Sequence, residues 1–171
     1  IKSLPVFDVE YLFLQIRSKS IGETVNPSLK CEHCEEVVEA KIDLSSICAE
    51  KSKDHTNKIL LTDEIGVMMK YPNIVSLGTR VSESESTQGL VIDIVIDCIE
   101  YIYDSKKMYK TSDYTKEELK DFVDNITKDQ FDKISKFFET MPKVKKEVKF
   151  KCSKCGETNL IELEGIENFF G

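Results

Sequence analysis

The sequence predicts an α+β fold in which a small antiparallel sheet carries an N-terminal helix and a helical insertion. Three observations support this. Two Cys-x-x-Cys pairs, Cys31/Cys34 and Cys152/Cys155, stand towards opposite ends of the 171-residue chain. Each leads into a stretch whose apolar residues alternate with a period of two, as a half-exposed strand requires. Between the pairs, apolar residues recur instead at helical spacing. The two pairs are therefore read as halves of one zinc-ribbon-like sheet, separated by an insertion.

In chain order, LPVFDVEYLFLQIRSKSIGE (4–23) predicts a helix with Asp8 as N-cap. Phe7 would staple onto Leu12, and Val9, Leu12, Phe13 and Ile16 would form the core face, with Gly22 as the stop. After the first cysteine pair, Val38, Ala40, Ile42 and Leu44 alternate with Glu39, Lys41 and Asp43 as one strand. Residues 57–74 hold two short strands, broken at Thr62-Asp63 and stopped at Pro72. The polar stretch RVSESESTQG (80–89) reads as a loop.

From Leu90 the polar residues Asp93, Asp97, Glu100 and Asp104 recur at steps of four, three and four, which predicts one apolar helix with a single acidic stripe. That stripe is either a solvent-facing edge or a divalent-cation site. Two helices with capping boxes follow, Thr115 with Glu118 and Thr127 with Gln130. Their inner faces are Leu119, Phe122, Val123 and Ile126, then Phe131, Ile134, Phe137, Phe138 and Met141, ending before Pro142. In the last strand Ile161 and Leu163 face one side and Glu162 and Glu164 the other, with Leu160 on the acidic side. The expected organisation is residues 1–84 for the N-terminal helix, first knuckle and strands, 85–141 for a three-helix insertion, and 142–171 for the second knuckle and closing strands. The first and last parts would form one compact zinc-binding unit.

Cys31, Cys34, Cys152 and Cys155 make a Cx2C…Cx2C set. Two-residue spacing lets both sulfurs of a knuckle approach one ion in tetrahedral geometry, and Gly156 suits the tight turn that follows. The gap between the pairs is far longer than in a compact ribbon, so four reduced core cysteines or two redox pairs remain alternatives, although neither pair has a βαβ setting. One structural zinc ion is expected. His33 lies inside the first knuckle and competes as a ligand only if a cysteine does not bind. A site filled by four thiolates has no open position for catalytic water. Cys48 and Cys98 read as small core residues and His55 as a solvated loop residue. No nucleophile–base pattern and no phosphate-binding glycine loop is present, so an enzyme is not expected.

A net charge of −7 disfavours wrapping a phosphate backbone, whose affinity comes mainly from Lys and Arg. Only PKVKKEVKFK (142–151) offers a basic face, which makes a zinc-ribbon nucleic-acid or transcription-associated module the alternative function. No run of eighteen apolar residues occurs, so no membrane span is expected. Cysteines in Cys-x-x-Cys pairs favour a reducing compartment.

The blocks FDVEYLFLQIRSKSIGE, KCEHC, EIGVMMKYP and FKCSKCG together resemble the baseplate hub proteins of T-even-type contractile-tailed phages. The resemblance runs from the first helix to the last strand. It implies a non-enzymatic subunit or assembly factor of the tail baseplate hub, made in the host cytoplasm and destined for the virion. Its implied partners are other baseplate and tail hub proteins. It also implies a further segment ahead of the first block. Phe137/Phe138 and Phe169/Phe170 are adjacent pairs, and one member of each is a candidate partner contact.

Overall fold

The computed structural model describes residues 2–83 and 86–170, with the backbone alone for residues 79–83. Its elements begin with helix α1 (Val6–Ser20) and the short strands β1 (Thr24–Val25), β2 (Ser28–Lys30), β3 (Val37–Glu39), β4 (Ile42–Asp43) and β5 (Ala49–Glu50). Strands β6 (Lys58–Leu60) and β7 (Gly66–Met69) precede helices α2 (Ile74–Glu83) and α3 (Thr87–Cys98). Next come β8 (Ile99–Tyr103), β9 (Met108–Lys110), α4 (Lys116–Asp124) and α5 (Lys128–Thr140). The chain closes with β10 (Lys143–Lys151), β11 (Thr158–Glu164) and the short α6 (Glu167–Phe170). Helices combined with antiparallel sheets make the fold α+β, as predicted.

The chain divides into two compact units, residues 7–51 with 142–171, and residues 1–6 with 52–141. The first is built around the β10–β11 hairpin, which runs in unbroken register from Lys145↔Glu164 to Lys151↔Thr158. Strand β5 pairs with the start of β10, while β2–β3 and β1–β4 form separate antiparallel pairs. The expected alternation over 38–44 appears as burial of Ala40, Ile42 and Leu44. The strand is interrupted, however, and ends in a 3₁₀ turn (Leu44–Ser46) capped by Asp43. In β11, Leu163 is buried and Leu160 exposed, as the imperfect alternation implied.

Helix α1 packs with the opposite face from the one expected. Phe7, Leu14 and Ser18 are buried, whereas Leu12, Phe13 and Ile16 are 42%, 48% and 66% exposed. The helix carries apolar residues on two opposite sides, and Ser18 disguises the inner one. It also begins at Val6, which places Asp8 within the first turn instead of at the cap. Gly22, at φ 152°, does end it.

The second unit holds a four-stranded antiparallel sheet, β6-β7-β8-β9, with α2–α5. Val67, Met69, Ile96, Ile99, Ile134 and Phe137 lie in its core. Both strands expected over 57–74 form, and both capping boxes are present. Leu119, Val123, Ile134 and Phe137 face inward as predicted.

Further expectations fail in this unit. The helix predicted across 90–104 stops at Cys98, because Ile99–Tyr103 pairs with β7 (Val67↔Ile102), where its β-branched and aromatic residues suit a pleated surface. The acidic stripe therefore breaks up: Asp93 and Asp97 stay on α3, Glu100 lies in β8, and Asp104 caps the turn beyond it. The loop expected from residue 80 is helical to Glu83, while residues 84–85 of that stretch lie outside the described residues. Pro72 is a start signal here: Asn73 Oδ1 accepts the Ser76 N–H at 2.9 Å and caps α2. Because β6, β7 and α2 share a unit with α3–α5, that unit takes up the chain from residue 52, where the sequence placed the insertion's start at 85.

Candidate metal centre

Each cysteine pair sits in the turn of an antiparallel hairpin. In one, residues 31–36 lie between the paired Lys30 and Val37; in the other, residues 152–157 lie between the paired Lys151 and Thr158. The turns match bond for bond. Cys31 N–H donates to Glu36 O at 2.8 Å and Glu35 N–H to Cys31 O at 2.9 Å. Cys152 N–H donates to Glu157 O at 2.8 Å and Gly156 N–H to Cys152 O at 3.0 Å. The residue after each second cysteine is left-handed, Glu35 at φ 61° and Gly156 at φ 76°. Glycine makes that conformation easy in the second turn; in the first, a glutamate holds it against its own Cβ.

The four sulfurs lie within 4.8 Å of one another. Cys31 Sγ is 3.7 Å from Cys155 Sγ, and Cys34 Sγ is 3.6 Å from Cys152 Sγ. An ion bound to four thiolates at about 2.3 Å places its ligand sulfurs about 3.8 Å apart, so the spacing suits one tetrahedral ion. A bonded sulfur pair would lie near 2 Å, so all four are thiols. Cys31 and Cys152 are buried, Cys34 is half-buried and Cys155 exposed.

Burial pushes the Cys31 thiol up, but the amides of His33 and Cys34, the Asn159 carboxamide and the Cys155 thiol outweigh it and hold it at about 6. The amides of Cys155 and Lys154 hold Cys152 below its ordinary range. Cys34 is pulled down by the Glu36 amide, yet burial and the Cys152 and Cys31 sulfurs leave it above its ordinary range. The Glu157 amide likewise pulls on Cys155, while burial and the other three sulfurs push it to about 12. Four thiolates cannot share so small a volume without a cation, and a divalent ion removes that conflict.

Asn159 is 1% exposed and completes the site from β11. Its Oδ1 accepts the Glu32 N–H at 2.9 Å, and its Nδ2 lies 3.4 Å from Cys31 Sγ and 3.3 Å from Glu157 O. It thus fixes a sulfur in one hairpin from the strand of the other. The sequence held a signal for this: Asn159 stands two residues before Ile161 and four before Leu163, on the inward side of β11. Lys154 Nζ adds an exposed link to Glu36 Oε2 at 2.7 Å.

A model of the family described as T4 bacteriophage base plate protein matches residues 1–171. The chain belongs to that family. No curated protein and no solved structure matches it. Membership places this baseplate protein in the phage tail among other tail proteins. No helix among the described residues is long and apolar enough to cross a membrane.

Other residues singled out in the sequence of the baseplate protein fall as follows. His33 is exposed in the first turn. His55 is buried, not solvated; its ring nitrogens lie 3.0 Å from Thr140 Oγ1 and 2.9 Å from Tyr71 Oη, against the Tyr71 and Phe137 rings. Cys98 is buried as expected, but Cys48 is exposed, because inward-facing Ile47 turns its neighbour outward. Two lysines of 142–151 face acids on the neighbouring strand, Lys143 with Glu164 at 2.7 Å and Lys145 with Glu162 at 3.0 Å, while Lys146 Nζ donates to Ser46 Oγ at 3.1 Å. Phe137 is buried with Phe138 packed against it; Phe169 is fully buried and Phe170 is 39% exposed.

Proposed function

We propose that this baseplate protein is a non-enzymatic structural or assembly subunit of the baseplate hub. Its cysteine-bearing unit is fastened by one structural zinc ion on Cys31, Cys34, Cys152 and Cys155. The observation that carries the structural role is the family match along the whole chain. The hub assignment is supported by the resemblance of the FDVEYLFLQIRSKSIGE block and the two knuckles to hub proteins.

Zinc is supported by four soft thiolate donors at tetrahedral spacing, with amides and Asn159 directed at the sulfurs. Such a set leaves no position for a reacting water, so the ion fastens the unit and performs no chemistry. The unit then folds as a zinc ribbon whose hairpins come from distant parts of the chain. Two of the lysines that would favour nucleic acid, Lys143 and Lys145, are paired with glutamates. Protein partners in the hub are the better match, met in the host cytoplasm during assembly and retained in the virion tail.

Native affinity purification of the tagged chain from infected cells, with mass spectrometry of co-purifying proteins and elemental analysis, tests both parts. Hub proteins and one zinc per chain are expected. Recovery of polymerase subunits or nucleic acid refutes the hub role; iron, or metal well below one per chain, refutes the zinc assignment.

A further inference from the structure

The outward face of α1 has a self-complementary pattern. Val9, Leu12, Phe13 and Ile16 lie opposite the buried Phe7, Leu14 and Ser18, and Leu12, Phe13 and Ile16 are exposed. Phe170 extends this face, with its ring 5.8 Å from that of Phe13, edge to face. The spacing 9-12-13-16 is symmetric about the midpoint between Leu12 and Phe13. A two-fold axis through that midpoint places Val9 against Ile16 and Leu12 against Phe13 of a second, antiparallel helix. Isologous interfaces need this property; because any helical stripe of this spacing has it, the choice of a second copy rests on the flanking charges.

Charge selects the same geometry. The first turns carry Asp8 and Glu10, and the last turn carries Arg17 and Lys19. Asp8 and Lys19 flank one side of the apolar stripe, and Glu10 and Arg17 the other. In an antiparallel pair each flank meets its own counterpart. Within the chain Arg17 Nη1 donates to Gly22 O at 3.3 Å, and release of that contact lets Arg17 meet Glu10 of the second copy while Lys19 meets Asp8. A parallel pair would set like charges together. Lys19 pairs with Glu23 at 2.8 Å, an exposed i,i+4 contact easily exchanged. Glu10 is crowded by acids: burial and the neighbouring Glu167 carboxylate hold its carboxyl above the ordinary range, and an incoming guanidinium relieves this.

We propose that two copies of this chain associate through an antiparallel, two-fold pairing of their α1 helices, with Leu12, Phe13 and Ile16 at the centre and Glu10–Arg17 and Asp8–Lys19 pairs at the flanks. The proposal is independent of the hub reading, since its test requires no tail protein.

The test is sedimentation equilibrium of the purified zinc-loaded chain over about 1–100 µM, with its I16E, E10R, R17E and E10R/R17E variants. The parent sediments as a dimer that dissociates on dilution. I16E, whose site is 66% exposed so that folding is spared, weakens the dimer by about 100-fold or more, because each dimer carries the change twice. Far-UV circular dichroism checks that the fold is retained. E10R and R17E each weaken the dimer, and the double reversal restores it, which antiparallel trans pairing alone explains. A parent that stays monomeric at the highest concentration overturns the proposal and leaves this face to another protein or another segment of this chain. A dimer indifferent to I16E, or a double reversal no better than the single ones, overturns it as well.

Discussion

Asn159 gives the sharpest test of the metal centre, because its buried amide bonds to the turns of both cysteine pairs. Replacing it with alanine removes the acceptor of the Glu32 N–H at 2.9 Å and donations to Cys31 Sγ and Glu157 O at 3.4 and 3.3 Å. The short bond contributes about 1 kcal/mol and the two longer ones together about as much, for a loss of about 2 kcal/mol. Where metal binding and folding are linked, this is a roughly 30-fold loss of zinc affinity. Asn159→Asp separates the parts: it keeps the acceptor for Glu32, loses both donations and sets a carboxylate beside the sulfurs. It should bind zinc no better than Asn159→Ala. Competition against a chromophoric chelator at fixed pH measures the affinities, and hydrogen exchange over residues 28–39 and 151–164 reports the local loosening. An Asn159→Ala chain whose zinc affinity stays within about twofold of the parent would falsify the role given to this amide.

The two turns make a reciprocal prediction: Glu35→Gly raises the melting stability of the zinc-loaded chain by about 0.5 kcal/mol, by relieving a left-handed residue, and Gly156→Glu lowers it by about 1 kcal/mol. The Lys30–Glu35 pair lost in the first variant is exposed on both sides and contributes little. Cys152→Ser should leave residues 28–39 and 143–164 open to protease while 57–141 stays resistant, and a fragment pattern identical to the parent's refutes single-site zinc. In the other unit, a Cβ on Gly66 would overlap the Tyr103 phenol and come within 2.8 Å of Ile59 O, so Gly66→Ala should cost about 2–3 kcal/mol in urea unfolding. Asp104 accepts the N–H groups of Lys106 and Lys107 and the Tyr109 hydroxyl, which hold its carboxyl below the ordinary range. A depressed folded-state pKa stabilises above the unfolded value, about 3.9, and the contribution disappears as pH falls through the folded value. Asp104→Asn should therefore flatten the loss of β8–β9 hairpin protection below about pH 4, read by hydrogen exchange over 99–110.

Local signals that need no tertiary partner were legible in the sequence. The capping boxes of α4 and α5 formed because each satisfies its helix's first amides within four residues. The inward faces of those helices and the 57–69 hairpin follow from periodicity alone. What failed depended on a neighbour. Ile99–Tyr103 continues an apolar run with either helical or strand spacing, and the open edge of β7 decides for strand. Helix α1 has two apolar faces, and nothing in its own residues says which meets the core. His55 sits in a charged stretch, and Tyr71 and Thr140, from elsewhere in the chain, explain its burial. In the metal centre the cysteines were visible from spacing, whereas Asn159 required the strand register to be extended by one step. The left-handed Glu35 had no local signal, since glycine is the residue that marks such a turn.

The proposed metal centre would also hold together a unit assembled from both ends of the chain. Strands β2 and β3 form a sheet separate from β10 and β11, so no backbone ladder joins the two cysteine hairpins among the described residues. At the knuckle end, the links between them are the sulfur cluster, the Asn159–Glu32 hydrogen bond and the exposed Lys154–Glu36 pair. Cys34 and Cys152 are 118 positions apart. In the chain-entropy account, a cross-link over a loop of that order stabilises by about 4–5 kcal/mol, more than a surface ion pair and one amide bond supply. An ion bound at this point would set the two halves of the unit in register and close the loop that carries the other unit. It would act where the chain's own hydrogen bonding is thinnest, which is the fastening role proposed above.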